Sequence, residues 1–280
     1  MNASRIKYTL VALATLLLCL PSATGQVEDV SLDPEAGGRL TVGLDKKITR
    51  GLHLTLEQEA RMDNNFGAFD RLQTNVGLRY KLLPWLKVGA GYALIAPYSS
   101  KNSAFKDVRH RVMLDATATA HFGLWQLSLK ERVQLTHRTG DFNVFQNPAN
   151  LLGLKSRLTA KYKGLRRLTP YAYAEMRHVL NAPVVSALYN GSVYMTSDGS
   201  TEGDPGWFLT GFDGVYVNRL RGCVGVEYRL DRRSRLDFAL MLDWVNDREV
   251  DANSEGTVLK SYTREHGLVG HLVVGYEYSF

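Results

Sequence analysis

Seven arginines, Arg61, Arg109, Arg111, Arg132, Arg177, Arg219 and Arg221, fall on one side of the chain when it is drawn extended. Guanidinium stays charged in almost any setting and grips carboxylate or phosphate through a two-pronged fork. Several of them on one enclosed wall would attract anions and repel cations. Glu57, Asp115 and Glu175 share that side, with Glu59 beside them. They offer a second chemistry, in which facing Arg and Glu pair across a narrow interior, satisfy one another and close it. The residue types allow both, and a narrow pore with some paired charges combines them.

A third chemistry is hydrolysis. It needs a Ser and a His within hydrogen-bond reach and a third group orienting the imidazole. His110, His137 and His178 lie on the opposite side of the chain, and Ser156 is on the segment next to that of His137 but several residues deeper. A lipid hydrolase is therefore a remote alternative, and the expectation is a protein with no catalytic residues. His53, His121, His266 and His271 have no spacing that reads as a metal site, and no cofactor is expected.

The elements that must carry these residues alternate at period two. Leu72, Thr74, Val76, Leu78 and Tyr80 oppose Gln73, Asn75, Gly77 and Arg79. Leu236, Phe238, Leu240, Leu242 and Trp244 oppose Asp237, Ala239, Met241 and Asp243. Eleven segments read this way, near 39–48, 52–63, 71–81, 86–96, 107–121, 124–138, 151–162, 168–179, 215–230, 235–246 and 266–280. Short turns such as Thr49-Arg50-Gly51 and Asp231-Arg232-Arg233-Ser234 alternate with longer polar loops near 97–106, 139–150, 181–214 and 247–265. Short turns on one rim and long loops on the other describe an up-and-down antiparallel β-barrel, and segments of about ten residues suit a tilted strand crossing a bilayer. Aromatics collect at both ends, including Tyr80, Trp85, Phe122 and Trp125 at one rim and Tyr98, Phe142, Phe145 and Trp207 at the other. Such girdles suit ring faces meeting lipid and ring edges meeting water.

The two ends of the chain point the same way. Arg5 and Lys7 precede the apolar run Leu10 to Leu20, and Ala23 and Gly25 supply small residues at −3 and −1, so residues 1–25 read as a cleaved secretory signal. Cys19 lies inside the apolar run without the small residue that a lipoprotein signal needs before it. Cleavage leaves Cys223 as the single thiol, so no intramolecular disulfide is expected. At the other end Tyr276, Tyr278 and Phe280 alternate up to the carboxylate, like an assembly signal of outer-membrane barrels. That series weighs against a soluble secreted sandwich.

Composition excludes other classes. Over 280 residues, 45% are apolar and 10% aromatic, too many for disorder, and two cysteines cannot form a disulfide framework. A formal net charge of +6 gives no case for nucleic acid.

The segments Glu57-Gln58-Glu59-Ala60-Arg61, Leu86-Lys87-Val88-Gly89-Ala90-Gly91-Tyr92, Leu168-Thr169-Pro170-Tyr171-Ala172-Tyr173-Ala174-Glu175 and Arg219 through Leu230 together resemble an uncharacterised outer-membrane β-barrel family, catalogued as domain of unknown function 2490. The resemblance runs over roughly 38–280 and implies a Gram-negative outer-membrane barrel. It brings no activity and no catalytic residues.

The expectation is thus an all-β transmembrane barrel in three parts: a signal peptide (1–25), a short N-terminal segment (26–37) and the barrel domain (38–280). Placing both termini in the periplasm requires an even strand number, so twelve strands are expected, with ten as the fallback. The barrel would be a narrow pore for anionic or oligosaccharide solutes, or else a closed structural or binding barrel acting through its extracellular loops. Its partners would be outer-membrane lipid, the barrel-assembly machinery during insertion and a small anionic or sugar solute. Loop 181–214, with Gly and Pro among Tyr189, Tyr194, Trp207 and Phe208, is the candidate external surface or inward-folding plug.

Overall fold

The computed structural model describes residues 28–140, 143–144, 146, 148–188, 206–252, 254 and 259–280. The expected signal peptide, residues 1–25, lies outside them, as do Phe142 and Phe145 of the expected outer girdle and the centre of loop 181–214. The elements are all strands: β1 (Glu28–Ser31), β2 (Glu35–Thr49), β3 (Leu52–Asp63), β4 (Ala68–Leu83), β5 (Leu86–Ser99), β6 (Ala104–Phe105), β7 (Arg109–Phe122), β8 (Trp125–Arg138), β9 (Asn150–Tyr162), β10 (Leu168–Leu188), β11 (Gly206–Arg229), β12 (Ser234–Ala252) and β13 (Leu259–Ser279).

Alternation drives the local structure, because apolar residues at every second position can share one medium only if the chain is extended. The strands β2, β3, β4, β5, β7, β8, β9, β10, β11, β12 and β13 pair in that order, and β13 closes onto β2. All successive pairs in that wall are antiparallel, but the closing pair is parallel: Glu35 through Asp45 run beside Val269 through Ser279 in the same direction. The wall therefore has eleven strands, which corrects the expected twelve. Directions that alternate along an odd number of strands bring the last strand back to the direction of the first. The two ends of the wall therefore do not share one rim, as an even strand number would require: β2 begins at the long-loop rim and β13 ends at the short-turn rim, while the segments with period-two alternation correspond to the wall strands. β1 does occupy the 26–37 segment, but it pairs in parallel with β13, from Glu28 opposite Thr263 to Ser31 opposite His266, and adds no wall strand. β6 folds back onto β5.

Left-handed backbone occurs at both rims, at Asn64 (φ +52°), Asn65 (φ +53°) and Phe66 (φ +65°) between β3 and β4 and at two short-turn glycines. Gly51 (φ +85°) and Gly123 (φ +59°) adopt left-handed backbone that a side chain would strain. In the 230–233 turn, Asp231 Oδ1 accepts from the backbone N–H groups of Arg233 (2.6 Å) and Ser234 (2.8 Å). These bonds hold its carboxyl below the usual carboxylate range. At the opposite rim β10 and β11 extend as a long hairpin, paired out to Leu188 and Gly206. The strands β10 and β11 thus run into the expected loop 181–214 from both sides, as β12 and β13 run into 247–265.

The large apolar side chains point away from the barrel axis, among them Leu40, Val42, Val112, Leu114, Leu158, Val224, Leu240 and Leu242, all exposed. Polar and charged residues fill the interior, joined by two small apolar clusters. Cys223, Ala239, Met241 and Val273 pack with Tyr171 and Tyr173, and Ala93, Ile95 and Met113 pack on β5 and β7. At the seam, a Cβ placed on Gly275 would sit 2.7 Å from Thr41 Oγ1. We expect Thr41→Cys with Gly275→Cys, in a Cys223→Ser background, to form an intramolecular disulfide on mild oxidation. Mass spectrometry reads it out, and failure to form it would speak against the parallel closure.

Candidate functional site

Register decides which interior charges meet. Arg157 of β9 lies opposite Glu175 of β10, Glu175 opposite Arg221 of β11, and Arg221 opposite Asp243 of β12. Four neighbouring strands thus carry a rung of alternating sign, and opposite charges directly across a strand pair attract. Arg221 grips Asp243 with both prongs, Nε to Oδ1 at 2.6 Å and Nη2 to Oδ2 at 2.7 Å. Its Nη1 also lies 3.5 Å from Glu175. Arg39 (3.4 Å), His271 Nε2 (3.6 Å) and Arg219 (3.7 Å) converge on Asp243 Oδ2. Glu175 takes Arg157 (Nε to Oε2, 2.7 Å) and Lys155 (3.0 Å). The side chain of Asp243 is 1% exposed and that of Glu175 3%, so the interior is tightly filled at this belt.

Toward the short-turn rim the pairing is mixed. Lys161 pairs with Glu227, Arg235 with Glu277, and Arg79 with Asp45, which also lies 2.7 Å from His53 Nδ1. Tyr171 Oη donates to Asp237. Arg157 lies over the Tyr173 ring at 4.3 Å.

Toward the long-loop rim bases predominate on β2–β4 and β7–β11, while β12 and β13 set Asp247 opposite Glu265. One rung places Asp115, Arg132, Lys155, Arg177 and Arg219 side by side on β7 to β11, one acid against four bases. Another places Arg39, Arg61 and Arg71 side by side on β2, β3 and β4. Like charges directly across strand pairs repel. Local acids relieve part of this: Arg132 holds Asp115 in a fork (2.6 and 2.9 Å), Arg61 pairs with Glu59, and Arg71 lies 2.5 Å from Asp70. Among the described residues Arg109, Arg111 and Arg177 have no carboxylate partner. Arg111 Nε donates to Thr136 Oγ1 (2.9 Å), while the buried Nε of Arg109 and of Arg177 have no partner there. Arg177, Arg61, Arg71 and Arg132 impose their positive charge on Arg111.

All ten expected lumen-lining charges occupy the interior register, but they are not brought together as one group. Arg221 and Glu175 belong to the filled belt, and Arg132 is tied to Asp115. Glu57 accepts from Asn75 (2.9 Å) rather than from an arginine. Arg109, Arg111 and Arg177, for which Glu57, Glu59, Asp115 and Glu175 offered partners, are left without one. Sequence reasoning missed Asp243, Arg39, Arg157 and Lys155 as members of the belt. Each has the parity of the interior face, the one available signal. On the outward face Ser156 donates to Glu131 (2.6 Å) and His137 Nδ1 meets Asn150 (2.9 Å). Among the described residues no hydrogen bond joins Ser156 to a histidine. At the C-terminus Tyr278 and Phe280 rings lie 5.8 Å apart, and the Phe280 backbone bonds Asp45 and Lys47 across the seam.

A closed β-barrel with an apolar exterior and a charged, partly filled interior is the class of protein that this geometry defines. The chain belongs to the family described as Protein of unknown function (DUF2490), whose model matches residues 40–191. Among solved structures it is similar to one described as the NanC porin in a rhombohedral crystal form, at 11% identity over 88% of this chain and 99% of that one, with a TM-score of 0.41. No curated protein matches.

Asp243→Asn strips the belt of the charge on which Arg221, Arg39, Arg219 and His271 converge. Removing one partner of a buried ion network costs about 3–5 kcal/mol. We expect a correspondingly lower denaturant midpoint for the refolded variant, with the barrel spectrum retained below it.

Proposed function

We propose that the chain is exported by the signal peptide 1–25 and spans the outer membrane of a Gram-negative bacterium as a narrow, passive, anion-selective pore. The observation that carries this reading is the run of like-charged neighbours at the long-loop end, with Arg109, Arg111 and Arg177 in no ion pair among the described residues. Such a run is costly unless anions visit it. The outward apolar side chains support a lipid setting, because water-facing surfaces rarely expose so much contiguous apolar area.

In this reading the long loops are extracellular. An anion entering from outside meets the guanidinium rows of Arg39, Arg61 and Arg71 and of Arg177 and Arg219, exchanging water for donors fixed in the wall. It then passes the tightly filled belt of Asp243, Arg221 and Glu175, which sets the limiting width. Below it the mixed pairs hold no surplus of one sign, so the solute is released. Small carboxylates, phosphates and acidic sugars fit this path. No step makes or breaks a covalent bond.

A second reading has its own observation. The side chains of Asp243, Arg221, Glu175 and Arg39 are almost wholly out of solvent contact. Across the mouth, Asn143 Nδ2 donates to Ala252 O (2.9 Å) and Gln146 Nε2 to Asp251 Oδ1 (2.5 Å). A belt sealed in this way makes a closed barrel that acts through its outer loops.

Residues 26–280, refolded into a planar bilayer under a salt gradient, separate the two. We expect steady conductance with a reversal potential on the anion side. The triple variant Arg109→Gln/Arg111→Gln/Arg177→Gln should move that potential toward cation selectivity. A conducting variant with unchanged selectivity would sink the anion pore, and an inserted but silent wild type would favour the closed barrel. If the C-terminal aromatics are read by the assembly machinery, Phe280→Ala should lower the amount of inserted barrel in cells and leave refolding in vitro intact.

A further inference from the structure

The wall does not end evenly at the long-loop rim. Backbone pairing between β11 and β12 stops at Arg219 opposite Val245, whereas β12 and β13 stay paired beyond that point, from Asn246 opposite His266 to Ala252 opposite Leu259. This distal hairpin stands clear of the β11 ladder, and side chains alone tie it there. Asn218 Nδ2 donates to Asp247 Oδ1 (2.9 Å), Asn246 Nδ2 donates to Val217 O (2.8 Å), and Arg248 lies over the Tyr216 ring at 4.5 Å. On its other edge lies the short β1, and its far end is reached from the β8–β9 connection by Gln146 on Asp251 and Asn143 on Ala252. None of these hydrogen bonds joins two charges.

The inward register of the hairpin is acidic. Asp247, Glu249 and Asp251 continue the register of Asp243, and Glu265 stands opposite Asp247. The hairpin's own arginines, Arg248 and Arg264, fall on the other register, with Arg264 Nε donating to Asn246 (2.6 Å). Among the described residues none of the four acids is in an ion pair. Like charges side by side on a ladder repel. What offsets the repulsion is the basic rung at the hairpin's root. Of the charges around Arg177 that of Asp247 weighs most, and it bears on Arg219 too, although neither arginine is within ion-pair distance of it. At the same root Arg177 Nε, Arg219 Nε and Asn218 Oδ1 are buried without a partner among the described residues.

We propose that the distal β12–β13 hairpin is an acidic lid on the arginine mouth, a tethered counter-charge that faces Arg177 and Arg219 until a diffusible anion replaces it. The proposal rests on the anion-pore reading above. A rigid cap would be laddered to β11 and locked by ion pairs, and this hairpin is neither. Its hinge is the rung of Val245 and Gly267, where the ladder to β11 gives out. Polar atoms buried unpaired cost free energy, and opening relieves that cost. An anion bound at the mouth is repelled by the four carboxylates, so it binds the open arrangement better than the closed one and shifts the population toward it.

The test uses residues 26–280 in a Cys223→Ser background, refolded into a planar bilayer under a salt gradient. Gln146→Cys with Asp251→Cys, bridged by a reducible bis-thiosulfonate reagent, should lose its conductance and recover it on reduction, with mass spectrometry confirming the bridge. Without the bridge, inorganic phosphate in the bath should raise the open fraction of the parent barrel by about tenfold, a usual size for coupling between a ligand and a two-state element. The variant Asp247→Asn/Glu249→Gln/Asp251→Asn/Glu265→Gln should already be open without phosphate. Heat-dependent electrophoretic mobility shows in each case that the barrel is folded. A bridged barrel that conducts like the unbridged one overturns the lid. So does an open fraction indifferent to phosphate, and so does a neutralised variant that opens no more than its parent; in all three cases a reversal potential on the anion side leaves the pore reading standing. An inserted barrel that stays silent with the lid unbridged and neutralised overturns the pore reading and the lid with it.

Discussion

A closed wall of backbone hydrogen bonds has to be completed somewhere. In this protein it is completed by the parallel pairing of Glu35–Asp45 with Val269–Ser279. Every other feature hangs on that seam. An open sheet of these strands would leave two long edges of unpaired N–H and C=O groups, and only closure removes them. Closure also creates an interior, which turns one face of each strand into a lumen wall and the other into an exterior. The seam is made tight by small residues: a Cβ on Gly275 would collide with Thr41, and one on Gly43 would touch Glu277. The C-terminal residue takes part, since Phe280 N–H donates to Asp45 O and Phe280 O accepts from Lys47 N–H.

Closure sets the electrostatics as well. Interior charges sit in rungs fixed by strand register, so their energies depend on which residues become ladder neighbours. The Arg157–Glu175–Arg221–Asp243 rung alternates in sign, and Glu175, Arg221 and Asp243 within it are almost wholly out of solvent contact. The Arg132–Lys155–Arg177–Arg219 rung does not alternate and remains in surplus. A barrel built only to be stable would gain from neutral or alternating neighbours throughout. Charge pairing is thus divided along the axis, with the tie at the belt and the basic excess of β7–β11 toward the long-loop mouth.

The exterior obeys the complementary rule. Leu, Val and aromatic side chains predominate at the outward positions, and polar side chains among them pair with one another. Gln58 and Thr74 satisfy each other. Ser156 donates to Glu131 on the same face.

Much of this was legible in the chain itself. Period-two alternation decided that the segments are strands and which side chains share a face, because a side chain in an extended chain has only two directions to point. It therefore sorted Arg61, Arg109, Arg111, Arg132, Arg177, Arg219 and Arg221 to one side and His110, His137, Ser156 and His178 to the other. Turn chemistry located the short rim through Gly51 and Asp231. Partnership was not legible. Arg221 meets Asp243 across 22 residues of sequence and Arg39 meets it across 204, distances at which only register and closure decide contact. The strand number of the closed wall was not legible for the same reason, since the direction in which the last strand meets the first is settled by how the whole wall curls and by no local pattern. Local sequence determines direction and face, because these are set by backbone geometry over a few residues. Neighbours across the wall, and so the filled belt, the unpaired arginines and the parallel seam, were decided by the tertiary structure, because they depend on the registers of all eleven wall strands at once.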